Sequence, residues 1–241
     1  MLCYSVLYDG SPSSLDRLRR LPRVALEVLL PSSVLLTLSV PEIADPLLDE
    51  GAEVVAVKLV DEPEKSGVEG IERAVIVADE LGAELVVVPV EAGSAAETLS
   101  SLDEAFNLIV AYSKRVALEP ARDALPKAVE FMRGFLGGVF KLSISPSYGS
   151  TTEEVLAMSL THFGQLAAVK LAGFTREGKV TRVSGARGLN AFAVIKKLVE
   201  RGYDSYFVLD YEAKGLVLPP EAVRSDCDLL AQYIRSLLEK V

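Results

Sequence analysis

The sequence is poor in the residues that most often build metal and redox sites. Its 241 residues include one histidine, two cysteines and no tryptophan. Cys3 and Cys227 form no Cys-x-x-Cys pair, so the composition excludes a Cys/His zinc module. A disulfide between them stays an alternative, because the two ends of the chain can meet in a closed fold. Two buried thiols in a reducing cytosol are the favoured interpretation.

Basic runs and long apolar runs are also missing. The formal net charge is −9, and such a field repels a phosphate backbone, so no nucleic-acid partner is expected. The longest apolar stretches are strand-length, well short of the roughly 20 residues that span a bilayer. The N-terminus, MLCYSVLYDG, is typical of a first strand and not of a signal peptide. We therefore expect a cytoplasmic protein without a membrane partner. The scarcity of asparagine and glutamine is typical of thermophilic sources.

What the sequence does contain is an alternation of short apolar runs with longer amphipathic ones. Half of the residues are hydrophobic and only 7% are aromatic, as expected for strands that are buried on both faces. This alternation predicts βα units and a parallel sheet. The eight candidate strands are Leu2–Tyr8, Val24–Leu30, Val54–Val60, Leu85–Val90, Val116–Glu119, Val139–Ile144, Ala167–Leu171 and Tyr206–Tyr211.

Helical periodicity fills the intervals between these strands. The expected helices are Leu15–Leu21 capped by Ser13 or Ser14, a segment Pro31–Glu50 broken by Pro41 and Pro46, Val68–Leu81, Ser100–Arg115, Leu125–Leu136, a helix opened by Thr151, Leu189–Arg201 and Ala222–Lys240. No Gly-, Ser- or Pro-rich linker divides the chain, so residues 1–241 are expected to form one domain.

Eight strands with intervening helices suit either a closed barrel or an open doubly wound sheet. An open dinucleotide-binding sheet has a Gly-x-Gly-x-x-Gly turn after its first strand. Here that turn, Asp9–Ser14, contains a single glycine. The length also suits a barrel, which typically needs about 250 residues. The sequence therefore predicts the α/β class, as a single (β/α)8 TIM barrel.

Three short motifs resemble the xylose isomerase-like superfamily, which includes sugar phosphate isomerases and epimerases and the endonuclease IV group. The clearest begins at Gly188-Leu189-Asn190 and continues through Arg201-Gly202-Tyr203-Asp204 to a last strand that ends in Asp210. Val116-Ala117-Leu118-Glu119 is similar to the fifth strand of that superfamily, and Val24-Ala25-Leu26-Glu27-Val28 to its second. The resemblance implies a barrel that acts on a small carbohydrate.

The resemblance also implies a divalent metal, held by carboxylates and histidines on strands five to eight. This chain retains Glu119 on strand five and Asp210 on strand eight. Strand six carries Ser143 and Ser145, and strand seven carries Lys170, where the superfamily has metal ligands. An ammonium does not bind a metal until it loses its proton. We therefore expect a degenerate metal site, with Glu119 and Asp210 as ligands only if a metal is bound.

Barrel active sites form at the carboxyl ends of the strands. The predicted catalytic residues are Glu119, Asp210, Lys170 and Glu27, with Glu119 as the leading base. The predicted substrate-binding residues are Lys58, Glu91 and Ser145, together with Arg176 and Arg187 of the basic loop 173–188, which also holds Lys179 and Arg182. A lysine in place of a metal would hold two carboxylates together and polarise a substrate oxygen.

Three functions stay open at this point. The first is an isomerase or epimerase that moves a proton in a small carbohydrate or hydroxy-carbonyl compound, polar or phosphorylated, possibly without a metal. The second is a barrel without activity that binds a small ligand or partner, its charges forming a structural ion-pair network. The third is a Schiff-base aldolase that uses Lys141 or Lys170. The oligomeric state is left open.

Overall fold

The computed structural model describes residues 1–60, 63–135, 137–147, 150–175, 177–185 and 189–239. Eight parallel strands in these residues close into a barrel. They are β1 (Leu2–Leu7), β2 (Ala25–Leu30), β3 (Val54–Leu59), β4 (Leu85–Val90), β5 (Arg115–Pro120), β6 (Phe140–Ile144), β7 (Leu166–Leu171) and β10 (Tyr206–Leu209). Each expected strand lies within two residues of these bounds, and the expected fold class is confirmed. The intervening β8 (Gly173–Phe174) and β9 (Val180–Thr181) form a small antiparallel hairpin.

Helices connect the strands on the outside of the barrel. They are α1 (Pro12–Arg20), α2 (Ser32–Thr37), α3 (Val40–Asp49), α4 (Pro63–Glu80), α5 (Ala95–Glu104), α6 (Phe106–Ala111), α7 (Leu125–Arg133), α8 (Thr152–Thr161), α9 (Ala191–Val199) and α10 (Pro220–Leu238). None of these helices combines the length and the apolar character that a bilayer crossing requires.

Two expected helix starts are wrong, because each helix begins earlier in the chain than expected. The hydroxyl of Ser11, not of Ser13 or Ser14, caps α1, and it accepts a hydrogen bond from the amide of Ser14 at 3.2 Å. The helix expected from Ser100 begins at Ala95, directly after Ser94. It also ends early, and Ala105 separates it from α6.

Two other helix predictions are confirmed by their capping contacts. Thr151 caps α8, since its hydroxyl accepts from the amide of Glu154 at 3.2 Å and the Glu154 carboxylate accepts from the Thr151 amide at 3.1 Å. The segment Pro31–Glu50 is broken into α2 and α3, but the break lies at Leu38-Ser39; Pro41 is in the first turn of α3 and Pro46 lies inside that helix without ending it. Ser39 and Glu42 form the same reciprocal cap at the start of α3.

The two faces of the barrel strands carry different side chains. Outward-facing valines and leucines pack under the helices, and Val28, Leu118 and Leu142 among them are fully buried. The lower part of the interior is filled by mostly small apolar side chains, which are Cys3, Ala25, Ala56, Leu85, Val87, Ala117, Ala167, Ala168 and Val208. The layer above them is polar: its buried members are Ser5, Glu27, Lys58, Ser143, Lys170 and Asp210. The interior of the barrel therefore has a charged layer above an apolar layer.

The two cysteines lie on opposite sides of the barrel wall. Cys3 packs in the apolar interior, whereas Cys227 on α10 packs in the outer core. Both thiols are free and buried, as expected, and the disulfide alternative is wrong. Burial raises the pKa of both thiols to about 12, which keeps them protonated at neutral pH.

The first and last strands are joined by a buried carboxylate as well as by their backbones. Glu212 lies shortly after the end of the last barrel strand at Leu209, and its carboxylate accepts a hydrogen bond from the Leu7 amide at 2.8 Å. Arg17 of α1 forms an ion pair with the same carboxylate at 3.1 Å, and the Tyr4 hydroxyl donates to it at 3.2 Å. These contacts hold the barrel closed just beside the carboxyl ends of β1 and β10.

Candidate active site

A cleft of about 320 Å³ opens at the carboxyl ends of the barrel strands. Its walls come from several connections between strands and helices, as barrel active sites generally do. The polar side chains that line it are Lys58, Glu91, Glu119, Ser145, Ser147, Asp210 and Lys214. The sequence analysis predicted Lys58, Glu91, Glu119, Ser145 and Asp210 at this place. Their roles remain predictions, but the structure brings them together.

The centre of the cleft is an ammonium group between two carboxylates. Lys58 reaches inward from β3, and its Nζ donates to Glu119 Oε1 at 2.6 Å. The same Nζ lies 4.0 Å from Asp210 Oδ1. The side chain of Lys58 is 7% exposed and that of Glu119 is 10% exposed, so this pair sits at the bottom of the cleft.

A second ion pair lies below the floor of the cleft. Lys170 on β7 donates to Glu27 on β2, and neither side chain is more than 1% exposed. Lys170 Nζ also lies 3.6 Å from Glu119 Oε2, which links the lower pair to the upper one. Neither Lys170 nor Glu27 lines the cleft. Lys170 thus lies beside Glu119 and Glu27 deeper in the barrel, as the sequence analysis expected, but both are below the floor of the cleft.

Serine hydroxyl groups form hydrogen bonds with other carboxylate oxygens of these ion pairs. Ser143 donates to Glu119 Oε2 at 2.9 Å. The hydroxyl of Ser5 lies 2.9 Å from Glu27 Oε1 and 3.1 Å from Asp210 Oδ1, so it connects the second and eighth strands of the barrel. Strand six, which was expected to lack metal ligands, therefore supplies Ser143 as a hydrogen-bond donor to Glu119.

Lys214 belongs to the site, and the sequence analysis missed it. It lies on a single 3-10 turn, Glu212–Lys214, which follows the last strand. Its Nζ donates to Ser145 Oγ at 2.9 Å and lies 3.4 Å from Asp210 Oδ2. The signal that identifies it is its position four residues after Asp210, which brings the two side chains to the same side of a helical turn.

The charges of this network balance. Three carboxylates, of Glu27, Glu119 and Asp210, face three ammonium groups, of Lys58, Lys170 and Lys214. Such balance is what makes burial of charge tolerable, because an unpaired ion in the interior costs several kcal/mol.

The network sets the pKa values of its two central members. Burial alone would raise the pKa of Glu119, but the ammonium groups of Lys58, Lys170 and Lys214 outweigh it and lower the pKa to about 2. For Lys58, burial acts to lower the pKa, yet the carboxylates of Glu119, Asp210 and Glu27 raise it well above its usual value. At neutral pH this pair is therefore a carboxylate and an ammonium, and Glu119 is a weak base.

In the described residues of the basic loop after β7, Arg182 is bound to a buried carboxylate. Arg182 forms two hydrogen bonds with the buried carboxylate of Asp226 on α10, at 2.7 and 3.0 Å. The hydroxyl of Tyr211 donates to the same carboxylate at 2.8 Å and accepts from the Val183 amide at 3.0 Å. Arg182 thus fastens the loop to the barrel. The predicted Arg176 and Arg187, and Gly188 of the family motif, lie outside the described residues.

The side chains at this mouth do not fit a divalent metal. Glu119 and Asp210, the two expected ligands, each have an ammonium and a hydroxyl against their oxygens, and the cation that lies between them is Lys58. The described parts of the chain hold no group of three histidine, cysteine or acidic side chains that could bind a metal. Lysine is a poor ligand while it is protonated, and the raised pKa of Lys58 keeps it so.

Comparison with solved structures places this architecture among known barrels. A D-tagatose 3-epimerase-like protein superposes with a TM-score of 0.71 over 98% of both chains, at 16% identity. A xylose isomerase domain protein from Planctomyces limnophilus gives a TM-score of 0.69 over 99% of this chain and 98% of its own, at 10% identity.

This chain has the fold of the xylose isomerase-like TIM barrels.

A D-allulose 3-epimerase from Methylomonas sp., solved with D-allulose, is also similar, with a TM-score of 0.61, 11% identity, and 95% of this chain and 96% of that one covered. No protein-family model matches the sequence, and the search of curated proteins found no match. The resemblance expected from the sequence is therefore confirmed at the level of the fold.

The low pKa of Glu119 predicts a loss of stability in acid. Glu119 binds a proton near pH 4.5 in the unfolded chain but only near pH 2 in the folded one, so its contribution is complete above pH 4.5 and disappears as the pH falls toward 2. The shift corresponds to roughly 3 kcal/mol. Urea unfolding between pH 6 and 2.5 should show this decline in the wild type, and a shallower one in Glu119→Gln. The exposed Glu104→Gln is the control and should keep the wild-type decline; an equal decline in Glu119→Gln would contradict the assignment.

Proposed function

We propose that the mouth of this barrel moves a proton next to the carbonyl of a small hydroxy-carbonyl compound, as sugar isomerases and epimerases do, without a metal. The observation that carries this proposal is the ammonium of Lys58, which lies between the carboxylates of Glu119 and Asp210 at the floor of the cleft. Such a reaction needs a cation for the carbonyl oxygen and a base for the adjacent carbon.

Lys58 supplies the cation in this proposal. An ammonium has three N–H donors, so Lys58 can keep its bond to Glu119 and still donate to a substrate oxygen in the cleft. As the proton leaves the carbon, its electron pair moves through the new C=C bond to the carbonyl oxygen, which becomes negative. A fixed ammonium in a site with little water stabilises that charge more than it stabilises the neutral carbonyl.

Asp210 is the better candidate for the base. Glu119 has its oxygens in closer contacts, at 2.6 and 2.9 Å, and its pKa of about 2 makes it a weak base. The Oδ2 of Asp210 is held more loosely, by Ser145 and Lys214, each at 3.4 Å. In an isomerisation, the proton taken by Asp210 goes to the neighbouring carbon, while the hydroxyl proton moves to the former carbonyl oxygen. In an epimerisation, the same carbon receives a proton from water on its opposite face, and Asp210 releases its own proton to solvent. This proposal moves the leading role from Glu119, where the sequence analysis put it, to Asp210.

The balance of charge favours a neutral substrate. In the described part of the mouth, Lys58 and Lys214 are each paired with a carboxylate, which leaves no surplus positive charge for a phosphate group. A polyhydroxylated ketone or aldehyde, bound through hydroxyl groups, suits Ser145, Ser147 and the exposed Glu91. The similar fold of proteins named for D-tagatose and D-allulose epimerisation supports this class of substrate.

Exchange of solvent deuterium into a sugar tests the proposal. The purified protein is incubated in D₂O with D-fructose, D-tagatose, D-allulose and D-xylulose, and NMR follows the C–H signals beside each carbonyl. We expect at least one signal to disappear faster than in protein-free buffer. Asp210→Asn should lose the exchange, and Glu104→Gln, on the exposed end of α5, should retain it. No exchange with any of the four sugars, or equal exchange in Asp210→Asn, would contradict the proposal.

The binding-only alternative rests on the same balanced network, because a structural core also needs its buried charges paired. It predicts a sugar that raises the unfolding temperature of the protein while every C–H signal persists in D₂O. The Schiff-base alternative has less support. Lys170 is fully buried, and Lys141 lies at the opposite end of the barrel, with its Nζ 3.4 Å from the carbonyl of Gly164. The raised pKa of Lys58 also keeps that amine protonated and non-nucleophilic.

A further inference from the structure

A second pocket, of about 400 Å³, lies beside the charged cleft. Its volume falls in the range of small-molecule sites. Its walls come from the connection between β5 and α7 on one side and from β6 and α8 on the other. The apolar side chains among them are Pro120, Ala121, Leu125, Ile144, Ala157 and Met158. This pocket, called the side pocket below, has no part in the proposed proton transfer.

The side pocket is continuous with the cleft. Four residues line both: Pro120, Ala121, Ser145 and Ser147. Ser145 is the link to the chemistry, because its hydroxyl lies 2.9 Å from Lys214 Nζ and 3.4 Å from Asp210 Oδ2. A molecule whose carbonyl lies against Lys58 can therefore extend past Ser145 into the side pocket.

The pocket exists because α8 packs loosely against the barrel. Only Val155 and Ser159 are buried among the ten residues of this helix. Ala157 is exposed and Met158 is only partly buried, although both are apolar and both face the pocket. Across the opening, Arg122 and Glu154 form an ion pair at 3.2 Å, with side chains 78% and 40% exposed. An ion pair with such exposure is weak and does not keep a ligand out.

We propose that the side pocket binds an apolar group of the substrate, so that a hydroxy-carbonyl compound with such a group binds more tightly than a sugar that lacks one. The polar end lies in the cleft with Lys58 and Asp210, and an alkyl or aryl group of several carbons lies between Leu125, Ile144 and Met158. This inference rests on the proposed function for the position of the polar end. The position of the apolar end is inferred from the apolar lining of the side pocket and from the four residues that this pocket shares with the cleft.

A series of 1-hydroxy-2-alkanones with three to eight carbons tests this inference. Each member carries the same hydroxy-ketone, and only the alkyl tail grows. The affinity of the wild-type protein, measured by NMR titration, should rise about fourfold for each added carbon until the pocket is full, which is the fold-change for about 0.8 kcal/mol per buried methylene. Ala157→Phe fills the pocket and should remove this increase, whereas Leu160→Phe, on the same helix but outside the pocket, should retain it.

The binding series separates this inference from the proposed function. A rise in affinity with chain length that Ala157→Phe removes supports the side pocket, even if no deuterium enters any compound, in which case the proton-transfer proposal fails alone. An affinity that is flat across the series, or that rises equally in Ala157→Phe, overturns the side pocket even if deuterium exchange into short compounds is observed.

Discussion

Replacing Lys170 with methionine is expected to destabilise the protein by about 3 to 5 kcal/mol. Lys170 is fully buried and forms the ion pair with Glu27, which is also fully buried. Without the ammonium, Glu27 loses its ion-pair partner and keeps the hydrogen bond from the Ser5 hydroxyl, and Glu119 loses a positive neighbour at 3.6 Å. Urea unfolding should show the change as a lower midpoint, and the unfolding temperature should fall by on the order of 10 °C.

Two further variants assign this loss to unpaired charge rather than to packing. The double variant Glu27→Gln, Lys170→Met removes one charge of each sign and should recover most of the lost stability. Lys197→Met removes a lysine whose side chain is 61% exposed beside Glu200, and it should change the stability by less than about 0.5 kcal/mol. If Lys170→Met were as mild as Lys197→Met, or if the double variant were no better than the single one, the neutralising role of Lys170 would be wrong.

Replacing Lys58 with methionine is expected to reduce deuterium exchange by about 10²- to 10³-fold, which is the usual effect of removing one group that stabilises a developing oxyanion. The ammonium of Lys58 lies 2.6 Å from Glu119 and 4.0 Å from Asp210, between the two carboxylates, and methionine has a similar length without the charge. The measurement is the rate at which the C–H signal disappears in D₂O for whichever sugar the wild type exchanges.

The fold of this variant needs its own control, since Lys58→Met leaves Glu119 without its closest partner. The double variant Lys58→Met, Glu119→Gln restores the balance of charge, so its unfolding temperature should lie closer to that of the wild type. Its exchange should remain lost, because no cation is available for the carbonyl oxygen. Lys197→Met should exchange at the wild-type rate. Exchange retained in a folded Lys58 variant would remove Lys58 from the mechanism.

The architecture was predictable from the sequence because each βα unit has its own local sequence signals. Buried strands such as Leu85–Val90 are continuous apolar runs, and the Thr151 cap with its partner Glu154 marks the start of a helix. The failures were local as well. Ser100 has the side chain of a helix cap but lies inside α5, because the chain already turns into the helix at Ser94 after Gly93.

The site was predictable where strand alternation determines which side chains face inward. Lys58, Glu119 and Asp210 lie at the ends of their strands, and their side chains meet as the barrel closes. Lys214 was not predictable in this way, since it lies on one turn of 3-10 helix that has no strand register. The depth of each lysine in the barrel was not predictable either. Lys170 and Lys58 look equivalent in the sequence, but Lys170 lies below the floor of the cleft and Lys58 lies on it.

The most direct test of the central claim, that Lys58 takes the place of a metal between Glu119 and Asp210, is the metal dependence of the deuterium exchange. The rate is measured on one preparation before EDTA treatment, after it, and after separate additions of Mg²⁺, Mn²⁺, Co²⁺ and Zn²⁺. We predict the same rate under every condition, with no metal retained by the protein in elemental analysis. Exchange that EDTA abolishes and one of these ions restores, with that ion bound stoichiometrically and lost in Glu119→Ala, would contradict the claim.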